Sequence, residues 1–397
     1  MLVSNDMTRD SRVDRHAKAL GARGHEVIVL ARASSNRQPE LEDREFYVIR
    51  RYREPLLGVR AIPRQDKISQ LVSSSHTHAG ALFRFLKATT RVAVVPVVRL
   101  WLYRLVCSIH ADVYHCNDLD TLDVGAAMKI VGKKVVYDSH ELYVDEIAWR
   151  PLRAVYFALE RLLVKLADVI MTVNPFIAKE LQRRYQIKTG VRVVLNCPEV
   201  SPRALPRPAA AYHRELTTVL YHGGLYPDRG LENLVIACAH LKKGVRLILR
   251  GDGEVEGRLK ELASGLDNIV FERSVPMDSV VEAASSADIG VIAYLPTNLN
   301  HYYCSPNKLF EYIQAGLAVA ASDFPFLREV IMGHAIGVVF NPEDPEDIAD
   351  KINYASEPSN LSDFRRNVEK VRRIYAWEYE RTKLYSAYAV LENPSLG

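Results

Sequence analysis

The chain has 397 residues, of which 48% are hydrophobic and 25% charged, and its formal net charge is +4. This length predicts two globular domains, and no apolar run approaches the roughly 20 residues that span a bilayer. Asp6, Arg9 and Asp10 interrupt any N-terminal secretory pattern, and five cysteines without a CxxC spacing suit a reducing cytosol and argue against structural zinc.

In chain order, Leu2–Ser4 reads as the end of a first strand, close enough to Met1 that the start is expected to be clipped. The polar loop Asn5–Asp10, a helix ending near Gly24 and the apolar strand Glu26–Ala31 follow. Strand, helix and strand so close together predict a βαβ unit in a parallel sheet. Phe46–Arg51 is a further strand. Residues 1–200 hold 31 Lys/Arg against 22 Asp/Glu, and residues 201–397 hold 21 against 26. Residues 50–104 account for the excess with 11 basic groups and two acidic ones. Arg84, Lys87 and Arg91 share one helical face, opposite Leu82, Phe85, Leu86 and Val92, which predicts contact with an anionic membrane surface or acceptor. Pro96 starts a second helix, through Trp101 to Ile109.

Asp112–His115 and Lys134–Tyr137 are short strands, each followed by polar groups, among them Asn117, Asp118 and Asp120 and then Asp138, His140 and Glu141. Open α/β sheets bind ligands at such strand ends, so Asp118 and His140 are candidate catalytic residues. Asp118-Leu119-Asp120 has the form of a DxD metal clamp. It lies in the half without phosphate-binding features, Asp120 is expected only to cap a helix at Thr121, and no metal is predicted. Helices over Arg153–Ala167 and Pro175–Arg184 alternate with strands Val169–Val173 and Val191–Leu195. Pro202–Pro208, with three prolines, is a linker by composition.

The second half restarts the alternation. Strand Thr217–His222 enters the glycine-rich turn Gly223–Gly230, and a helix runs from Leu231 to about Leu241. Strand Val245–Arg250 ends in Gly251-Asp252-Gly253. A helix over Val255–Ser264, strand Asn268–Phe271, helix Val280–Ala287 and strand Ile289–Tyr294 come next. In Cys304–Pro325, Ser305 reads as a helix N-cap and Pro306 as the first helical position. Asn307, Lys308 and Leu309 then offer free N–H groups at a positive helix end, an anion site to which Lys308 adds a full charge. Gly316 ends this helix and Leu317–Ala321 is a strand. Helix Phe326–Met332, strand Gly337–Phe340, helix Pro345–Ala355 and a helical tail over Phe364–Leu391 complete the chain. Arg229 and Lys308, each at a helix start, together suit a diphosphate, with Glu311 left for a ribose hydroxyl pair. The turn is no Walker motif and no GxGxxG fingerprint, and GxSxG and HExxH are absent. No recognised nucleic-acid motif accompanies the basic segment, so nucleic acid is not an expected partner.

These motifs resemble the glycosyltransferase family 4 group of the GT-B glycosyltransferases. YHGGLYPDRGLENL, LILRGDGE, SADIGVIAYLP and SPNKLFEYIQAGLAVAASDFPFLREVI are similar to the donor domain's landmarks. NDMTRDSRVDRHAKALGARGHEVIVLAR, ADVYHCNDLDTL, KVVYDSHELY and VVLNCPEV resemble the acceptor domain's. The resemblance implies two Rossmann-like parallel-sheet domains facing across a cleft. They are an acceptor domain over 1–200, a linker over 201–215, a donor domain over 216–372 and a C-terminal helix over 373–397 returning to the first domain. It implies an enzyme that moves a sugar from a nucleotide-diphosphate donor, a UDP- or GDP-sugar, with retention, while the cysteine usage suits the cytoplasm and the basic segment 50–104 the inner face of the membrane. The acceptor would be a lipid-linked or polymeric glycan in cell-surface polysaccharide or glycolipid biosynthesis. The nucleotide sugar is a co-substrate; no cofactor and no metal is expected. Arg229 and Lys308 would bind the diphosphate, assisted by Gly224 and the amides at Asn307, Lys308 and Leu309. Glu311 would hold the ribose, the backbone at Gly251, Ser274 and Val275 would frame the base, and His140 would lie near the transferred sugar. One departure stands out. Many members carry a glutamate eight positions before the one matched by Glu311, and here Tyr303 fills that position. Asn298, Asn300, His301 and Ser305 are left to meet the sugar. The alternatives are a sugar-nucleotide epimerase of the same fold and a degenerate, partner-binding subunit.

Overall fold

The computed structural model describes residues 1–8, 10–53, 98–200 and 216–393. They form two compact units: Met1–Thr172 with Ala178–Arg192 and Tyr385–Gly397, and Val173–Ile177 with Val193–Leu384. The expected linker over 201–215 and the basic face of Arg84, Lys87 and Arg91 lie outside the described residues.

In the first unit β1 (Ile28–Arg32) pairs in parallel with β3 (Tyr47–Tyr52), and β2 (Leu41–Arg44) adds an antiparallel edge. The sequence reading missed β2: three of its four residues are charged, and it buries almost nothing. β4 (Val113–Asn117), β5 (Lys134–Ser139) and β6 (Val169–Thr172) are parallel, with the two-residue β7 (Arg192–Val193) beyond them. Leu2 bridges Leu30 on one side and Cys116 on the other. Counting Leu2 as the first strand and leaving aside the antiparallel β2 and the two-residue β7, the order is third, second, first, fourth, fifth, sixth, that of a doubly wound dinucleotide-binding fold. The second unit repeats the order in one six-stranded sheet. Its strands run β10 (Ile269–Glu272), β9 (Val245–Arg250), β8 (Thr217–His222), β11 (Ile289–Ile292), β12 (Ala318–Ser322), β13 (Gly337–Phe340), all parallel.

Helices cover both faces of the second sheet, so the middles of its strands run apolar on both faces rather than alternating. Phe310 and Ile313 join the core on one face and Leu234, Val235 and Ile348 that on the other. β8 and β11 pair only at Val219–Ile289 and Leu220–Gly290 before they part. The Tyr312 hydroxyl bridges the gap, accepting from the His222 N–H and donating to the Val291 carbonyl, each at 3.3 Å. This needs glycine at 290, because a Cβ there would lie 2.2 Å from the Tyr312 ring.

Several boundaries differ from expectation. The helix after the glycine-rich turn stops at Ala237, where a 3-10 turn to His240 takes over. The helix expected over Val280–Ala287 ends at Ala284. The tail is two helices, Pro358–Val371 and Trp377–Glu392. Helix Leu119–Ile130 starts two residues before Thr121, with Asp118 rather than Asp120 at its N-cap position and no side-chain cap bond. All five cysteines are free thiols.

Candidate functional site

In the second unit Gly224, Arg229, Lys308 and Glu311 gather at the carboxyl ends of β8 and β11, where the strand order reverses, while Gly251 follows β9 and Ser274 and Val275 follow β10. That crevice is where open α/β sheets take ligands. The helix Asn307–Ala315 points its first turn there. Its start corrects the sequence reading: Pro306, with extended backbone, holds the N-cap position, and Ser305 makes no cap bond. Ser305 Oγ is instead buried without a hydrogen-bond partner among the described residues. Leu309 does not offer a free N–H, because it donates to the Pro306 carbonyl at 3.0 Å. Asn307 is fixed through Oδ1, which accepts from Asn196 at 2.8 Å.

Lys308 is buried, 7% exposed. Its ammonium lies 4.3 Å from the Tyr221 ring centre and 4.9 Å from that of Tyr294, and donates to the Tyr294 hydroxyl at 3.3 Å. Burial, seconded by the Arg229 charge, lowers its pKa to about 7. The Arg229 guanidinium stacks 4.2 Å above the Tyr294 ring and pairs with Asp228 at 3.1 Å. Asp228 also meets His301 Nε2 at 3.1 Å. One tyrosine thus sets the separation of the two cations. Gly223 faces Lys308 so closely that a Cβ would lie 3.3 Å from Nζ. Glu311 holds His222 Nε2 at 2.7 Å. Gly251 passes over Gly223, where a Cβ would sit 1.9 Å from the Gly223 oxygen. Ser274 Oγ donates to Asp252 at 2.5 Å, tying the Ser274–Val275 loop to the turn after β9. Gly224 lies against the Tyr226 ring. Asn300 is buried in the short helix Leu299–Tyr302. Tyr303 stacks on Phe176, and its carbonyl accepts from Asn174 at 2.7 Å.

In the first unit His140 and Asp118 meet at the ends of β5 and β4. Asp118 Oδ1 accepts the His140 N–H at 2.8 Å, and Oδ2 lies 3.4 Å from Nδ1. Nε2 faces Asn117 Oδ1 at 3.2 Å and Asp138 Oδ2 at 3.5 Å. With Asp118 and Asp138 ionised both ring nitrogens meet acceptors, which imidazolium satisfies with two N–H donors. Burial opposes that charge, but Asp118 and Asp138 outweigh it and raise the His140 pKa. Burial likewise pushes Asp118 up. Asp118 has φ +62° and ψ 170°, a conformation otherwise reserved for glycine and costing about 1–3 kcal/mol.

Beneath this pair lies a cluster the sequence reading did not assemble. Arg12 clamps the fully buried Asp138 through Nε at 2.9 Å and Nη2 at 2.7 Å. His16 Nδ1 and His115 Nε2 each lie 3.5 Å from the same carboxylate, and His115 Nδ1 shares a hydrogen bond with Tyr388 at 2.8 Å. His16, His115 and Asp138 lie close enough to share a metal, but the Arg12 guanidinium already neutralises Asp138 on both oxygens. Arg12 and His16, one turn apart on the helix Ser11–Ala22, were the only available signal.

Residues 217–357 match the family described as Glycosyl transferases group 1, and residues 11–200 match Glycosyltransferase Family 4. The chain belongs to the group 1 glycosyltransferases, of family 4 type, and is an enzyme of that class. No curated relative matches its sequence. Its fold is that of sucrose-phosphate synthase from Thermosynechococcus elongatus, with a TM-score of 0.70 at 20% identity, covering 98% of this chain and 95% of that one. Anabaena HepE in complex with UDP and glucose gives 0.66 at 15% identity over 98% of both chains. WaaG, a glycosyltransferase involved in lipopolysaccharide biosynthesis, gives 0.59 at 16% identity over 97% of both. These neighbours share the GT-B fold.

Proposed function

We propose that the chain transfers a sugar from a UDP- or GDP-sugar, with retention at the anomeric carbon, to a lipid-linked or polymeric glycan acceptor. The setting would be cell-surface polysaccharide or glycolipid biosynthesis on the cytoplasmic side of the membrane. The observation that carries the donor assignment is the pair Arg229 and Lys308, held around one tyrosine ring at the strand-order reversal. Lys308 is buried with no carboxylate in ion-pairing range among the described residues. A buried cation left so is costly unless an anion completes it. HepE, of the same fold, is known in complex with UDP and with UDP-glucose.

The diphosphate would lie on Lys308 and Arg229, with Gly224 and the Asn307 and Lys308 amides beside it. Glu311 would exchange His222 for the ribose hydroxyls, and the backbone at Gly251, Ser274 and Val275 would meet the base. Asn300, His301 and Ser305 would read the sugar, and His140 with Asp118 would act on its ring as a fixed positive donor. As the anomeric carbon–phosphate oxygen bond breaks, negative charge grows on the diphosphate, and preorganised cations stabilise it. The acceptor oxygen bonds the anomeric carbon on the same face, and its proton passes to the departing phosphate oxygen. The cations come with the chain, so no metal is needed in this reading.

Thermal-shift measurements with UDP-, GDP-, dTDP- and ADP-sugars test the donor. One nucleotide class should raise the melting temperature, and Arg229→Ala with Lys308→Ala should abolish both shift and transfer. A shift that survives both substitutions would place the nucleotide elsewhere. Donor turnover to an epimer without acceptor would identify an epimerase.

A further inference from the structure

The first unit carries an apolar surface on the helix Arg150–Leu163 and the turn Val164–Leu166 that follows. Val155 is 62% exposed and Leu162 67%, with Trp149 at 64% just ahead of the helix and Leu159 and Leu166 at 37%. With Pro151 and Ala158, both exposed, these form one stripe at positions i, i+4, i+7, i+8 and i+11, a single helical face. That face points away from the core: the opposite side carries Glu160, buried and hydrogen-bonded to the Tyr137 and Tyr185 hydroxyls. Glu160 is the only acidic residue between Trp149 and Ala167. Along the stripe's flank run Arg150, Arg161 and Lys165, all exposed.

A cavity of about 600 Å³ opens beside the helix start, lined by Arg150, Arg153, Arg183 and Arg184. Among the described residues, two carboxylates are ion-paired with these guanidinium groups. Asp145 pairs with Arg153 and Arg184, and Glu180 with Arg183 and Arg184. The cavity keeps positive charge.

We propose that this helix face is the surface by which the chain docks on an anionic lipid bilayer, with the stripe in the acyl boundary and the arginine-lined cavity against lipid phosphates. An amphipathic helix lying in the interface has this composition: bulky apolar groups and tryptophan on one face, basic groups along its margin, and no exposed acid. Lipid phosphates supply the negative charge that the basic flank and cavity lack. A second copy of the chain would bring its own arginines to the same place, and like charges repel. The proposal deepens the membrane-associated part of the function above and is independent of its donor chemistry.

Co-sedimentation of the full chain with vesicles tests it. Binding is expected to vesicles of phosphatidylcholine mixed with phosphatidylglycerol and not to phosphatidylcholine alone. Val155→Ser with Leu162→Ser should lower the bound fraction about tenfold or more, and Arg150→Glu with Arg161→Glu should do the same through charge. These side chains are exposed, so the fold is not at risk. Trp149 emission should shift to the blue on vesicle addition, and Trp149→Phe should remove the shift. Nucleotide thermal shifts should stay unchanged in every variant, separating this surface from the donor site. The proposal is overturned if both double variants bind like the parent chain. Binding abolished only by Arg84→Glu, Lys87→Glu and Arg91→Glu would do the same, as would no vesicle binding together with a dimer that Val155→Ser and Leu162→Ser dissociate.

Discussion

Lys308 shows how one residue's surroundings convert a general signal into a specific one. In sequence it is a lysine near a helix start; in the fold it is an ammonium enclosed by Tyr221, Tyr294 and Gly223, with its pKa lowered to about 7. If a diphosphate binds the charged form, binding above pH 7 must take up a proton. Affinity for the cognate nucleotide sugar, whose diphosphate has no proton to lose near neutral pH, is therefore flat below pH 7 and falls toward tenfold per pH unit above it. Lys308→Met should weaken binding and flatten the profile, as read by calorimetry across pH; a slope that persists in the variant would assign the proton elsewhere. Asp138 poses the opposite case. Its carboxylate is held well below the usual range, against the cost of burial, by Arg12 and His140. Asp138→Asn leaves the Arg12 charge buried without its counterion and should cost about 3–5 kcal/mol in urea unfolding. A cost below about 1 kcal/mol would mean that the histidines, not the ion pair, organise the cluster. Asp118→Gly separates strain from chemistry: it relieves the unusual backbone at 118, so stability should hold while transfer falls.

Elements carry the next layer. β8 and β11 part after two residue pairs, and the Tyr312 hydroxyl spans the opening. The strand ends are thereby held apart where Lys308 enters. Gly290→Ala drives a methyl into the Tyr312 ring and should cost about 1–3 kcal/mol. Tyr312→Leu in the same chain should recover part of the loss, because contacting sites are not additive. Full additivity in a double-mutant cycle would refute direct contact. The periodic strands and Gly316-terminated helix were readable from pattern, and Gly316 does end the helix in a left-handed conformation at φ +75°. The start was not: Ser-Pro satisfied the local rules for an N-cap and first turn, yet the backbone turns one residue later. Pattern reading also missed β2, whose charged residues form a strand only because β3 supplies hydrogen-bond partners.

For the whole molecule, two sheets with the same strand order each open a crevice where that order reverses. One crevice gathers cations and the other a charged histidine with carboxylates. If the diphosphate charge is met by Arg229 and Lys308 alone, chelating divalent metal with EDTA should leave transfer within about twofold; loss of activity restored by Mg²⁺ would assign charge neutralisation to a metal. By itself the sequence determined the alternation of strands and helices, the two-part organisation and the candidate residues Arg229, Lys308, Glu311, Asp118 and His140. Those signals are local: apolar runs, glycines at turns, polar groups just past strand ends. Only the tertiary structure decided that Arg12 and His16 come to Asp138, and that Tyr294 fixes the spacing of Arg229 and Lys308. It likewise decided that the stripe from Pro151 to Leu162 faces solvent. An apolar helical face has the same sequence pattern whether it packs on a sheet or not, and a buried charge finds its partner across more than a hundred residues of chain. Those outcomes depend on which elements the sheet order makes neighbours, which no local pattern encodes.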